Sequence, residues 1–420
     1  MIAAIANGAS HINNYSTSAD CAATLLCLEK LGVRVERSGS DISIHGAGLD
    51  GLSAPVEQLD CANSGTTMRL LAGILAGQSF VSILTGDESL RSRPMQRIIE
   101  PLEMMGAEIS SKEGRAPLQI RGAALKPIDY ELLTASAQVK SCILLAGLNA
   151  KGKTIVIENE ITRDHTERML RWFAAETETG PAPREPENAR FAAVTGPAQL
   201  HARDVSIPGD FSSAVYFVAA AALLPDSSLQ ICDVGLNPTR VAFLEQLRSM
   251  GFDVTASNEH EESNEPRGDV FVRALSPDIK TPFRIDGAII PQLIDELPLL
   301  AVVGSQIESG IEIRDAKELR VKESDRIAST VAGLRSMGCE VEEFDDGLRV
   351  GGPTKLRGAK INPRGDHRIA MAFSIAALLA EGDSQIETAD CVAVSFPEFF
   401  DLLDSVVESI SPSPFGRGSG

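Results

Sequence analysis

Between Arg320 and Arg326 the chain sets five charges of mixed sign, Arg320, Lys322, Glu323, Asp325 and Arg326, into seven positions. An apolar-periodic run follows, with Ala328, Val331, Leu334 and Met337 at helical spacing and Gly338 as a stop. A helix beginning near Val321 puts Lys322, Glu323 and Arg326 on one face, since residues three and four apart are neighbours there, and turns Asp325 away. Charges converging at a helix start, where backbone N–H groups and the dipole already favour anions, suit a ligand carrying phosphate or carboxylate. A charge run also fits a solvated helix face. Recurrence separates the two readings. Asn63-Ser-Gly-Thr66, Ser136-Ala-Gln138, Ile294-Asp-Glu296 and Asp366-His-Arg368 each stand at the head of an apolar run.

Those runs set the architecture. Apolar helices ending at a small residue, an Asp or a Gly are expected over Ile2–Gly8, Gly65–Gly77, Ser136–Gly152, Asp210–Asp226, Ile294–Gly310 and Asp366–Gly382, a recurrence of 69 to 84 residues between end points. A charged amphipathic helix closing on Gly before a strand recurs at Cys27–Gly32, Pro101–Gly106, Leu247–Gly251 and Leu334–Gly338, with a degenerate copy at Met169–Ala175. Alternating strands follow at Ile42–Gly46, Leu118–Gly122, Ala193–Gly196, Val270–Ala274 and Leu348–Gly352. Alternation means one wet face, so helices must cover the other. Asn237-Pro238 and Arg93-Pro94 read as helix starts, with Asn237 and Arg93 at the caps. Three apolar helices precede Val205–Gly209 and three follow. This predicts lobes over residues 1–206 and 207–410, with a polar, Pro-rich loop at Glu176–Asn188 and a disordered tail at 411–420.

A chain of 420 residues accommodates two such lobes, and 43% apolar residues with one Trp and three Tyr predicts an aliphatic core in a packed α/β protein. A net charge of −19 argues against nucleic acid or an anionic membrane as partner, while leaving room for a locally basic cleft. Seven Cys form no CxxC pair and mostly sit in apolar runs, which fits reduced, buried thiols in a cytosolic protein. No Cys adjoins a His, so neither a metal site nor a thiol nucleophile is expected. No secretory leader or membrane span is legible, Met1–Ala6 being far too short.

Polar residues that share one position within a repeat all face the same way. The helix starts, Arg93-Pro94 and the Lys322 group therefore predict one concave site with several cations and two or three carboxylates. Singly each is ambiguous: Asn63–Thr66 fits a turn cap as well as an anion nest, and Asp295 a cap as well as a base. Gln138 fits a satisfied polar group, and His165 is assigned a structural place. At His367-Arg368, Arg suits bidentate phosphate or carboxylate binding better than Lys would.

As a set, Asn63-Ser-Gly-Thr66, Arg93-Pro-Met95, Ala135-Ser-Ala-Gln-Val-Lys140, Thr162-Arg-Asp-His-Thr-Glu167, Ile207-Pro-Gly-Asp210, Ile294-Asp-Glu-Leu-Pro298, Arg320-Val-Lys-Glu-Ser-Asp-Arg326, Asp366-His-Arg-Ile369 and Ser395-Phe-Pro397 resemble the signatures of the 5-enolpyruvylshikimate-3-phosphate synthases, in that family's order and over nearly the whole chain. The resemblance implies the two-domain enolpyruvyl transferase-like fold, an inside-out α/β barrel of repeated βαβαββ units that closes over its substrates. It implies transfer of the enolpyruvyl group of phosphoenolpyruvate to the 5-hydroxyl of shikimate 3-phosphate with release of phosphate, in the shikimate pathway to chorismate and aromatic amino acids. A cytoplasmic monomer needing no metal or organic cofactor is the corresponding expectation.

By the same resemblance, Ser136, Gln138 and Arg163 would hold the shikimate phosphate and ring, with Lys322 and Asp295 near the ring hydroxyls. Gly65, Arg93, Arg326 and Arg368 would bind phosphoenolpyruvate. Asp295 would serve as base at the 5-hydroxyl, Glu323 as donor to the methylene carbon, and Lys322 would assist either transfer. Two departures stand out. The family's initial strand and its Pro-Gly-Asp-Lys-Ser-x-Ser-His-Arg-like segment have no counterpart, and Met1–Gly8 matches the family's residues immediately after that segment, so either the start is assigned too far downstream or the chain is truncated, and a truncated chain is expected to be at best marginally folded and to have little activity. Ser395-Phe-Pro397 also lacks the Lys that some members place there. The rival readings are a UDP-N-acetylglucosamine enolpyruvyl transferase-like enzyme and a relic that only binds ligand. Ser136-Ala-Gln138, Lys322–Arg326 and the absence of Cys after Arg93 weigh against the first. Retained Asp295, Glu323, Arg93 and Arg326 weigh against the second.

Overall fold

The computed structural model describes residues 1–184, 186, 189–274 and 283–408. The expected tail at 411–420 lies outside the described residues. Six sheets run through the described residues, and one strand order recurs complete in three of them. Leu59–Asp60, Val81–Thr85, Glu108–Lys112 and Arg115–Arg121 form a sheet in which the first two strands pair in parallel and the last two form an antiparallel hairpin. Asp129–Glu131, Gly152–Glu158, Thr177–Pro181 and Arg190–Gly196 repeat that order, as do Phe283–Ile285, Ile311–Ile313, Val341–Phe344 and Gly347–Val350. A helix follows the first strand and another follows the second, which makes each unit βαβαββ.

The remaining units are variations. Strand Asn7–Asn13 takes its parallel neighbour from Val205–Ser206, so a strand from the middle of the chain completes the sheet that its first residues begin. The unit at 209–273 has only a bridge, Gly209 to Val234, in place of its first strand. Lys360–Ile361 and Gln385–Ile386 pair in parallel, with no hairpin joined to them among the described residues. This unit nonetheless keeps both helices, and its amphipathic one, Phe399–Glu408, carries no closing Gly by which the sequence could announce it.

The apolar helices Gly65–Ala76, Ala137–Gly147, Phe211–Leu223, Leu297–Gly304 and His367–Leu378 are buried almost all round. A helix apolar on every side belongs in an interior, and the sheets enclose these with one face wet, as the alternating burial of Arg115–Arg121 shows. One continuous core is drawn from residues 3–205 and a second from 211–403. Four Cys are buried, but Cys232 is exposed and Cys21 and Cys391 half-exposed, short of the full burial expected.

Several local expectations need correction. Ile2–Gly8 is not an apolar helix: a single 3-10 turn at Ile2–Ile5 leads into a strand. The loop at 176–188 contains strand Thr177–Pro181, held by pairing with Arg190–Val194. Arg93 ends the short helix Glu88–Ser92, and the next helix starts at Gln96 behind Met95. Asn237 closes an Asx turn on Thr239 rather than capping a helix, which begins only at Ala242. The helix after the charged stretch starts at Arg326, because the Asp325 carboxylate accepts the Ala328 N–H and fixes the cap there. Lys322 and Glu323 consequently lie in the link between the 3-10 turn Lys317–Val321 and that helix, not in its first turn.

Candidate active site

Helix starts from both halves of the chain meet at a cavity of about 570 Å³. Ser64 accepts the Thr67 N–H, Ser136 that of Val139 and Asp366 that of Arg368, so each cap holds its first turn in place. Gly65, Ser136, Gln138 and Arg368 thereby reach the wall with the positive ends of their helices. Asp295 arrives differently. It occupies the turn between Ile290–Leu293 and Leu297–Gly304, where the chain bends by 108°. All ten sequence-predicted residues, Gly65, Arg93, Ser136, Gln138, Arg163, Asp295, Lys322, Glu323, Arg326 and Arg368, line this one cavity.

Its charge balance differs from the expectation. Arg69, Arg93, Arg97, Arg163, Lys322, Arg326 and Arg368 face not two or three carboxylates but Asp20, Glu160, Asp295, Asp315, Glu318 and Glu323. Three of these carboxylates, Asp295, Glu318 and Glu323, pair with Arg93, Arg97, Arg163 and Arg326. Arg326, 2% exposed, donates to Asp366 at 2.8 Å, to Glu323 at 2.6 Å and to Asp295 at 3.1 Å. Three pairs bridge the two halves: Arg93 to Glu323 at 3.2 Å, Arg97 bidentate to Glu318 at 2.9 and 3.0 Å, and Arg163 to Asp295. Bidentate guanidinium–carboxylate geometry is the strong form of such a contact. Arg93 also donates to Asn63 at 2.6 Å, while its Nε is buried without a partner.

Proton affinities follow from these neighbours. Burial would raise the Asp295 carboxyl, but Arg163, Lys322, Arg368 and Arg326 outweigh it and hold the group well below the usual range. Burial is likewise overcome at Glu323, where Arg326 and Arg93 bring it down to about 2. Burial lowers the Lys322 ammonium despite Asp295 beside it. Asp20 goes the other way, raised to about 6 by burial and by the charge of Glu323.

His367 supplies a pH signature. It is 8% exposed, its Nδ1 has no partner, and burial followed by Arg368 lowers it from 6.5 to about 4; Arg326 acts in the same direction, while Asp366 and Glu323 oppose. Between those values the unfolded chain takes up a proton that the folded chain refuses. Stability must therefore fall as pH drops from about 6.5 to about 4, by roughly 3 kcal/mol at most for this group. His367→Gln is expected to flatten that limb in urea titrations run across this interval, and an unchanged slope would refute the assignment. The depressed carboxylates lose their contribution only at lower pH.

Six charged residues of the wall, Arg69, Arg97, Asp20, Glu160, Asp315 and Glu318, were not singled out from sequence. Arg69 donates to Gln138, and burial, followed by repulsion from Arg93 and Arg97, lowers it to about 10. Its position one turn beyond Gly65 was the available signal. Arg97 offered no such signal, since it stands in helix Gln96–Met105 and Arg93 lies outside that helix. Asp20, in the first turn behind the Ser18 cap, and Glu318 offered none. His165 does not reach the cavity: its Nδ1 lies 2.8 Å from Glu265, a structural link between the halves. Among the described residues no cluster of His, Cys, Asp and Glu suits a metal ion, and no single helix is long and apolar enough to cross a membrane.

Known proteins resemble this chain over nearly its whole length. The 3-phosphoshikimate 1-carboxyvinyltransferase of Koribacter versatilis is 50% identical over 409 residues, 97% of this chain and 93% of that one. The Salinibacter ruber protein of the same name is 47% identical with the same coverage. EPSP synthase from Acinetobacter baumannii superposes with a TM-score of 0.82 at 39% identity, over 97% of this chain and 92% of that one. The enolpyruvyl transferase NikO from Streptomyces tendae, at 19% identity and a TM-score of 0.73 over 97% and 90%, shares the fold alone. That fold is the two-domain α/β enolpyruvyl transferase fold. With its residues 1–403 matching the family description throughout, the chain belongs to the EPSP synthase (3-phosphoshikimate 1-carboxyvinyltransferase) family.

Proposed function

We propose that this protein transfers the enolpyruvyl group of phosphoenolpyruvate to the 5-hydroxyl of shikimate 3-phosphate, releasing phosphate, as a cytoplasmic monomer of two lobes meeting near 206–207. The observation that carries this reading is the convergence of ten residues named from sequence on one cavity, in a chain of this family. Ser136, Gln138 and Arg163 bind the shikimate phosphate and ring. Arg93, Arg326 and Arg368, with the backbone at Gly65, bind phosphoenolpyruvate.

The ion pairs give the steps an order. The shikimate phosphate draws Arg163 from Asp295, so the carboxylate regains proton affinity just as the 5-hydroxyl reaches it. The phosphate and carboxylate of phosphoenolpyruvate likewise draw Arg93 and Arg326 from Glu323, so this carboxylate, ionised while paired with them, takes up a proton from water before the lobes close. Asp295 then takes the hydroxyl proton as the oxygen bonds to C2, and C3 receives a proton from Glu323. Return of a C3 proton to the Glu323 carboxylate and cleavage of the C2–O bond restore the double bond, and the departing phosphate takes the proton that Asp295 holds. Lys322, its proton affinity lowered by burial, assists either transfer. The arginines stabilise the tetrahedral intermediate, and the closed lobes exclude water.

Phosphate release measured with phosphoenolpyruvate and shikimate 3-phosphate, against UDP-N-acetylglucosamine as the alternative acceptor, tests this. Turnover with the first acceptor only is expected. Turnover with the sugar nucleotide, or calorimetric binding of shikimate 3-phosphate without turnover, overturns it.

A further inference from the structure

Behind the wall that carries Ser136, Gln138 and Arg163 lies a charged cluster that does not open onto the cavity. Lys140 follows Gln138 by two positions, a spacing that sends the two side chains to different faces of the helix. Its ammonium, 1% exposed, lies 3.1 Å from Glu158 and 2.8 Å from Glu167, whose side chains are 7% and 2% exposed. Glu158 ends strand Gly152–Glu158 and accepts the Thr162 hydroxyl at 2.6 Å. Glu167 is the third residue of helix His165–Trp172, and next to it the Thr166 hydroxyl meets that of Ser141 at 2.6 Å. Both ends of segment 158–167, which presents Arg163, are thus tied to the first turns of helix Ala137–Gly147.

Two buried carboxylates about one cation are a poor way to stabilise a fold, since desolvation cancels most of the attraction and apolar residues of similar volume do as well. Burial raises the Glu158 carboxyl above its usual range even beside Lys140, and one Glu167 oxygen has no partner. What the cluster supplies is direction. Salt bridges fix where the segment sits, which apolar packing leaves free.

We propose that Lys140, Glu158 and Glu167 are positioning residues for the shikimate 3-phosphate half of the site, holding Arg163 against Ser136 and Gln138 while leaving the phosphoenolpyruvate half untouched. This rests on the proposed function and deepens it by assigning one substrate to one buried network. The ties all run to the segment bearing Arg163, and none reaches Arg93, Arg326 or Arg368.

The test separates positioning from stability. A triple variant, Lys140→Met with Glu158→Leu and Glu167→Leu, removes every charge together and is expected to fold with an undiminished melting midpoint. Its KM for shikimate 3-phosphate should rise about tenfold or more, as misplaced binding groups require, with KM for phosphoenolpyruvate within about twofold of wild type. Glu158→Gln, which still accepts the Thr162 hydroxyl, should stay near wild type. Equal rises in both KM values, or an unchanged KM for shikimate 3-phosphate in the triple variant, overturn the inference alone. A wild-type protein inactive on the pair overturns the activity reading and this inference with it.

Discussion

Asp295→Asn is expected to lower kcat by about 10³-fold, the usual scale for removing a general base, without raising KM for shikimate 3-phosphate. The two halves of that expectation have different origins. Asn keeps the size and hydrogen-bonding reach of Asp but cannot accept a proton, so the 5-hydroxyl loses its acceptor. Binding fares otherwise because Asp295 competes with the substrate: its two oxygens occupy Arg163 and Arg326, the latter at 3.1 Å. With a neutral amide in its place, Arg163 has no carboxylate to leave, and affinity for the substrate phosphate should hold or tighten. Steady-state assays with calorimetric titration of shikimate 3-phosphate read both quantities. A kcat within tenfold of wild type would remove Asp295 from the role of base, and a large loss of affinity would show that the pair with Arg163 is structural.

How far this site was legible in the sequence depends on which contacts are local. The central helices are apolar on every side and capped by Ser64, Ser136 and Asp366, so periodicity and capping chemistry located them, and their shared repeat position predicted that the caps would face one way. The helix start at Arg326 was legible too, had the Asp325 cap been weighed above the run of charges; the error moved Lys322 and Glu323 onto a helix they only precede. The sixth amphipathic helix, Phe399–Glu408, escaped because its repeat had shed the closing Gly. Contacts between the lobes were out of reach on other grounds. Arg93 and Glu323 are 230 residues apart and Arg97 and Glu318 are 221, and neither pair obeys a local rule. Their meeting depends on how two separately packed cores dock, which no spacing encodes. The same holds for Val205–Ser206, whose pairing with Ile12 and Asn13 closes the first sheet across almost the whole first lobe.

The second large effect concerns Arg326. This side chain is 2% exposed and pairs with three carboxylates from three elements: Glu323 in the preceding link, Asp295 at the helix bend, and Asp366 at the cap of His367–Leu378, itself fully buried. Its burial penalty is overcome by Asp366, Glu323 and Asp295, so the guanidinium stays charged. Arg326→Met keeps much of the volume and leaves the buried Asp366 facing Glu323 and Asp295 without its cation, while Asp295 keeps Arg163 and Glu323 keeps Arg93. Breaking a buried ion pair on one side costs about 3–5 kcal/mol, and a comparable loss is expected in urea unfolding at pH 7. The pH dependence identifies the cause. In wild type the arginines depress Asp295 and Glu323, so folding is favoured above the ordinary carboxylate range and weakens below it. In the variant Glu323 loses the strongest of the neighbours that lower it, so the folded state binds protons more readily than folded wild type does, and stability relative to wild type should recover as pH falls from 7 toward about 4. A deficit that stayed constant over this range would point to lost packing instead. Activity cannot be restored by the same acidification, since the variant lacks the guanidinium proposed to bind phosphoenolpyruvate, and KM for that substrate should remain raised at every pH at which the protein is folded.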